Sequence, residues 1–140
     1  MKRSATAEWK GTLQKGTGEM NVESGAFSVP FSFATRFGDE KGTNPEELIG
    51  AAHAGCYSMF LSAVLSNNEF PPNSVKTTAT VTLGRDDTGP VVSNIDLVCR
   101  ADVPGIDAEK FDEFAQLAKT NCPISRALAG PEISLDAQLV

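Results

Sequence analysis

The hydrophobic and polar positions along the chain fall into distinct regimes. In "SATAEWKGTL", "GEMNVE" and "GAFSVPFSF", apolar residues alternate with polar ones, and the glycine-bearing turns "QKGTG" and "ESG" separate the runs. A period of two bounded by such turns predicts three short strands. The polar stretch "ATRFGDEKGTNP" is too rich in turn residues for a strand and is expected to be a loop. Then the pattern stops alternating: Leu48–Leu65, "LIGAAHAGCYSMFLSAVL", carries no formal charge. Its start is well marked as a helix. Asn44 is a capping residue, Pro45 suits the first helical position, and Glu46 and Glu47 sit where the helix dipole favours carboxylates. Glu47 is also three residues after Asn44, the spacing of a capping box. This helix is expected to run to about Ser66 and to end at "NNEFPPN".

Downstream, "VKTTATVTLGR" alternates cleanly, "DDTGP" reads as a hairpin turn, and "VVSNIDLVCRADV" as the returning strand. Asp107 caps a helix to about Lys119. "NCPISRALAG" gives a short further helix with Cys122 at the N-cap and Pro123 at the first position, and "EISLDAQLV" closes the chain as a strand. The order β-β-β-α-β-β-α-α-β, with hairpins at each end of a central helix, predicts an α+β fold with antiparallel pairing.

A length of 140 residues suits one domain, residues 1–140. The net charge of −6 argues against binding nucleic acid or an anionic membrane surface, both of which call for a basic face. The amino-terminal "MKRSATAEWKG" is basic but lacks the apolar stretch and cleavage site of a secretory signal, so a cytoplasmic protein is expected. The uncharged run is only just long enough for a membrane span, which normally needs about 20 apolar residues, and it is rich in Ala, Gly and Ser. It reads instead as a buried helix. A helix apolar all round needs cover on every side, which so short a chain supplies poorly; a second subunit is implied.

Composition also frames the thiols. Three cysteines without a signal sequence do not form a disulfide scaffold. Cys99 shares strand parity with Ile95 and Leu97 and is expected in the core as a small hydrophobe. Cys122, at a helix N-cap, lies near unpaired N–H groups that stabilise a thiolate, but a cysteine also occupies such a position without chemistry. Cys56 lies well inside its helix, beyond the reach of the dipole. It reads either as packed core or as a reactive thiol activated by some other positive group. An unperturbed thiol is only about 3% thiolate at pH 7, so that group would also have to stabilise the transition state. His53 lies one turn before Cys56 on the same face, a spacing open to a Cys–His pair but more simply met by a satisfied buried imidazole. A zinc site would need three or four ligands, with only Cys99 and Cys122 left to complete it. By spacing alone, Arg36 is a loop charge and Glu46 a first-turn carboxylate.

The segment "TRFGDEKGTNPEELIGAAHAGCYSMFLS", followed by "NCPIS", resembles the OsmC/Ohr family of osmotically inducible and organic-hydroperoxide-resistance proteins, and most of all its OsmC branch. The likeness extends over nearly the whole chain, including "ESG", "VPGIDA" and the final "EISLDAQLV". It implies a thiol-dependent peroxidase acting on organic, lipid-type hydroperoxides with no metal or organic cofactor. It implies an intertwined homodimer, long helices packed centrally between two mainly antiparallel sheets, with two active sites at the interface. Carried over by motif, Cys56 is the peroxidatic nucleophile, Cys122 the resolving thiol, and Arg36 and Glu46 the polar pair that activates Cys56. The oxidised form is then a Cys56–Cys122 disulfide, recycled by an external dithiol of the lipoyl type. His53 lies inside the motif without being one of the family's catalytic residues.

Arg36 suits its role through a permanent charge and a planar fork of donors that Glu46 can hold bidentately. Ten residues at about 1.5 Å rise place Glu46 some 15 Å along the axis from Cys56 of the same helix. Glu46 is therefore expected to serve the partner chain's Cys56 across a two-fold helix contact. Phe33, Phe37, Met59 and Phe60 are candidates to line the substrate pocket. Other classes make different demands. A redox sensor would use the same disulfide but turn over slowly with a dithiol, and a small-ligand-binding protein would keep both thiols reduced. A Cys–His hydrolase would lose activity in His53→Ala, which a peroxidase tolerates.

Overall fold

The structure is a computed structural model that describes residues 1–139. The chain forms two compact units, the first covering Met1–Leu48 and the second beginning at Ile49.

In the first unit, strands β1 (Ala5–Lys10), β2 (Thr17–Val22) and β3 (Ser28–Ser32) form an antiparallel meander in the order β1-β2-β3. Gly18 on the central strand pairs with Trp9 on one side and Phe31 on the other. A Cβ there would lie 2.4 Å from the Phe31 ring and 2.8 Å from that of Trp9. The missing side chain lets the two rings approach, their centroids 5.2 Å apart. The polar stretch after β3 is not all loop, as its composition suggested. Phe33–Phe37 forms a short helix, α1. It is nucleated by a reciprocal cap in which Thr35 N donates to Ser32 Oγ at 3.1 Å and Ser32 N to Thr35 Oγ1 at 2.9 Å.

Helix α2 (Pro45–Asn67) begins as its sequence dictates, with Glu47 N donating to Asn44 Oδ1 at 2.8 Å. It stops just beyond Ser66, where Glu69 adopts a left-handed φ of 69° and Phe70 N donates back to Leu65 O. Most of α2 belongs to the second unit. There β4 (Ser74–Asp86) and β5 (Gly89–Asp102) form a long antiparallel hairpin around the turn at Asp86, whose Oδ1 accepts from Thr88 N and Gly89 N. Helices α3 (Ala108–Asn121) and α4 (Pro123–Ala127) then carry the chain back, so that β6 (Glu132–Leu139) joins β5 in parallel rather than antiparallel. Asp107 caps α3 by accepting from Lys110 N at 2.8 Å.

The core of the second unit lies between its sheet and its helices. Ile95, Leu97, Cys99 and Ala101 alternate along one face of β5 and are fully buried against Phe111, Phe114, Ala115 and Ala118 of α3. Cys99 is the core residue its parity predicts. From α2, one stripe is buried: Gly50, His53, Tyr57, Leu61 and Leu65. The spacing of three and four is that of a single helix face. Gly50 permits the closest approach, since a Cβ there would sit 3.2 Å from Ala79 O. Ser58 donates to Thr77 Oγ1 at 2.7 Å, and the Tyr57 hydroxyl to Ala115 O at 3.2 Å. The expectation of a helix enclosed all round is not met within the chain. Ala52, Gly55, Met59 and Ala63 form an exposed row on another face of α2, and the Met59 residue is 77% exposed. By length and hydropathy α2 would pass as a membrane span. Its buried stripe is instead the inner layer of this core.

Candidate active site

Two clusters hold the residues singled out by sequence, one in each unit. In the second unit, the four-residue spacing of α2 places Cys56 beside the buried stripe, next to Tyr57. Cys122 occupies the single residue between α3 and α4, its N–H donating to Ala118 O and its carbonyl accepting from Arg126 N. Proline at the next position ends one helix and starts the other. This junction brings the Cys122 and Cys56 sulfurs to 2.9 Å. Both thiols are free, Cys122 fully buried and Cys56 half-buried. The separation exceeds a disulfide bond of about 2.05 Å by less than an ångström, so oxidation requires little movement. Cys99 is buried in the core and is not part of this contact.

The two sulfurs are electrostatically unequal. Burial raises the Cys122 thiol, but a hydrogen bond with Cys56, the amides of Ser125 and Ile124, and the Ser125 hydroxyl together hold it below its ordinary range. The effect belongs to these individual donors; α4, at five residues, is too short for a substantial macrodipole. Cys56 shifts the other way. Burial and then its hydrogen bond with Cys122 push it up, and the Ile124 amide only partly offsets them. No cation is among the groups that set it.

His53 sits one turn before Cys56, fully buried, with Nε2 2.8 Å from Ser125 Oγ. Its Nδ1 has no partner, so the imidazole is only half satisfied. Burial lowers its pKa and keeps the ring neutral. Ser125 was not singled out by sequence. The signal was present: "CPIS" places a hydroxyl three residues after Cys122, one turn into the helix that the cysteine begins.

In the first unit, Arg36 in the last turn of α1 meets Glu46 in the first turn of α2. Arg36 Nη2 donates to Glu46 Oε1 at 2.7 Å, and Nε lies 3.1 and 3.3 Å from Oε1 and Oε2. This is the fork-to-carboxylate geometry that fixes a guanidinium plane. The Arg36 side chain is 35% exposed and that of Glu46 13%, so the carboxylate anchors and the cation keeps an open edge. The guanidinium also lies 5.0 Å from the Phe37 ring centroid. Beside it opens a mainly apolar cavity of about 350 Å³, lined by Trp9, Leu13, Phe31, Phe33 and Phe37 together with Arg36. Of the pocket candidates, Phe33 and Phe37 are in this lining. Phe60 packs against the core of the second unit, and Met59 stands in the exposed row of α2. Among the described residues, no group of three His, Cys, Asp or Glu side chains is arranged to hold a metal ion.

Comparison with known proteins gives the family of the chain. The model of the family described as OsmC-like protein matches residues 38–136. The chain is 49% identical over 138 residues to Peroxiredoxin OsmC of Escherichia coli, covering 98% of this chain and 96% of that one. It is 29% identical over 136 residues to Organic hydroperoxide resistance protein-like 1 of Staphylococcus saprophyticus, covering 95% of this chain and 96% of the other. Among solved structures, the organic hydroperoxide resistance protein OhrB of Bacillus subtilis superposes with a TM-score of 0.72 at 23% identity, over 98% of each chain. An OsmC-like protein of Vibrio cholerae superposes with a TM-score of 0.77 at 17% identity, over 100% of this chain and 99% of that one. At such identities the solved structures speak for the fold.

Proposed function

Because this chain belongs to the OsmC family, we propose that it is a thiol-dependent peroxidase that reduces organic hydroperoxides to alcohols through Cys56 and Cys122. Its relatives named for peroxiredoxin activity and hydroperoxide resistance support this reading. The observation that carries it is the 2.9 Å approach of two free thiols brought together from distant parts of the sequence.

The cycle needs no prosthetic group. The Cys56 thiolate attacks one peroxide oxygen; an S–O bond forms, the O–O bond breaks, and the departing alkoxide takes a proton to leave as alcohol. Cys122 then attacks the Cys56 sulfenic acid, forming the S–S bond as the S–O bond breaks and water leaves. An external dithiol, in our reading of the lipoyl type, exchanges through the disulfide and restores both thiols. The apolar cavity beside Arg36 suits the hydrocarbon part of a lipid-type hydroperoxide.

Arg36 and Glu46 complete this site as the activating pair. The raised Cys56 thiol calls for a cation that its own unit does not supply. Glu46 is ten residues before Cys56 on one continuous helix, about 15 Å along the axis. In our proposal the Arg36–Glu46 pair therefore acts on the partner chain's Cys56 in a homodimer, whose interface uses the exposed row of α2. Residues 1–140 act as one OsmC-like domain in the cytoplasm.

The test is disulfide mapping by mass spectrometry of reduced protein given one equivalent of cumene hydroperoxide. A Cys56–Cys122 link with Cys99 free is expected. Unlinked thiols, or a link through Cys99, would overturn the assignment.

A further inference from the structure

The two sulfurs stand 2.9 Å apart yet differ in access. Cys122 has no exposed surface, and Ala118 and Ser125, one turn to either side of it in the chain, are buried as well. Cys56 lies at the border of the buried stripe of α2. Ala52 and Met59, one turn to either side of it, are exposed, and a Cβ on its neighbour Gly55 would meet nothing within 4 Å.

In thiol–disulfide exchange the incoming sulfur has to reach the sulfur it attacks. Closing the 2.9 Å gap to a bond moves the sulfurs by less than an ångström, so the difference in access carries over to the disulfide. Cys56 is also the sulfur that a hydroperoxide must reach, and in the proposed homodimer a thiol takes the same way.

We propose that the external dithiol attacks the disulfide at Cys56 Sγ and expels Cys122, and that the buried Cys122 sulfur, left in contact with the new bond, makes single thiols ineffective reductants. The proposal rests on the peroxidase reading for the source of the disulfide. In the first step an S–S bond forms between reductant and Cys56, the Cys56–Cys122 bond breaks, and its electron pair leaves with Cys122 as thiolate. That thiolate can attack Cys56 again, which restores the protein disulfide and returns the reductant unchanged. The second sulfur of a dithiol can instead attack the reductant's own bonded sulfur, closing a cyclic disulfide and releasing Cys56 as thiolate. The dithiol is thereby oxidised by two electrons, and its two protons end on Cys56 and Cys122. A single thiol has no second sulfur. Its adduct must wait for a collision with another molecule while Cys122 competes from contact distance.

The departing sulfur is also the better leaving group. Burial pushes the Cys122 thiol up, but the Cys56 contact and the amides of Ser125 and Ile124 bring it below its ordinary range, whereas burial pushes Cys56 above it. The more acidic thiol leaves faster.

The experiment starts from the Cys56–Cys122 disulfide formed with diamide, so that no hydroperoxide is involved. Its reduction by dithiothreitol and by 2-mercaptoethanol is followed by acid quenching and mass spectrometry. At equal thiol concentration near neutral pH, dithiothreitol should be faster by about 10²-fold or more, because its second step is intramolecular. Its rate should rise in proportion to concentration, and that of 2-mercaptoethanol with the square. Peptic mapping at acid pH should find the 2-mercaptoethanol adduct on Cys56, with Cys122 as the thiol. Reduced Cys122→Ser given bis(2-hydroxyethyl) disulfide should keep that adduct on Cys56, whereas the reduced parent ejects it and closes its own disulfide. An adduct on Cys122, or a 2-mercaptoethanol reaction that is first order and as fast as that of dithiothreitol, overturns the proposal. Failure of diamide to join Cys56 to Cys122 overturns it as well. If the expected results appear but the parent consumes no hydroperoxide, the peroxidase reading fails and the route of reduction stands.

Discussion

Arg36 grips Glu46 through two of its nitrogens, at 2.7 to 3.3 Å, with the carboxylate the less exposed of the two partners. The arrangement fixes the plane of the guanidinium, and in the proposed cycle its open edge meets a thiolate and a peroxide oxygen. A lysine would keep the charge but lose the planar fork. Arg36→Lys should therefore lower kcat/KM for cumene hydroperoxide by about 10²- to 10³-fold, as removal of one oriented transition-state donor does elsewhere. Steady-state assays with a dithiol check this. If the pair acts across a dimer, mixing Arg36→Ala with Cys56→Ser subunits should recover activity that neither variant has alone.

Removing Cys122 separates the two chemical steps. Cys122→Ser should still consume one equivalent of hydroperoxide and then stall as the Cys56 sulfenic acid. That species is trapped by dimedone, and excess peroxide drives it to sulfinic acid. Cys99→Ser should cycle normally, because Cys99 is a fully buried core residue of β5 and is not a member of the sulfur pair. Rapid dithiol turnover in Cys122→Ser would show that another thiol resolves the intermediate.

The sequence made some of this readable and hid the rest for physical reasons. Helix α2 and its cap were legible because Asn44, Pro45 and the two glutamates are local signals, and Cys99 because strand parity decides its side. Helix α1 was not: its cap is Ser32 with Thr35, without the acidic third residue that usually marks a capping box, and Gly38 soon follows. The direction of β6 was hidden because nothing within a strand says which way its neighbour runs; the α3–α4 connection decides it. Trp9 and Phe31 meet only because Gly18 lies between them in register. The Cys56–Cys122 pairing came from family resemblance alone, since spacing left each thiol open. Ser125 was passed over because its significance depends on His53, and only the packing of α4 against α2 unites them.

The exposed row Ala52, Gly55, Met59 and Ala63 sets a test of assembly. If this face of α2 packs against its copy, Met59→Lys would bury a charge in an apolar contact, a cost of several kcal/mol. Light scattering should then show a dimer for the parent and a monomer for the variant, with the circular dichroism of the monomer retained. Peroxidase activity should fall with the dimer. A Met59→Lys protein that remains dimeric would place the interface elsewhere.

His53 also makes stability depend on pH in a window where no other side chain normally titrates. It is the only histidine in the chain. Burial lowers its folded pKa below the ordinary 6.5, so the folded protein resists a proton that the unfolded chain accepts. Above 6.5 both states are neutral and stability is flat. As pH falls through 6.5 toward the folded value, the unfolded state gains protons first and stability drops, by up to about 1.4 kcal/mol per pH unit. Asp86, Asp96 and Asp136 are held below their ordinary 3.8, chiefly by hydrogen bonds from Thr88, Ser134 and Arg100. Their contribution is lost only at still lower pH. Urea unfolding at pH 7.5 and pH 5.0 should therefore show a loss in the parent that His53→Gln removes. Equal losses in the two proteins would mean that His53 takes up its proton without resistance from the fold.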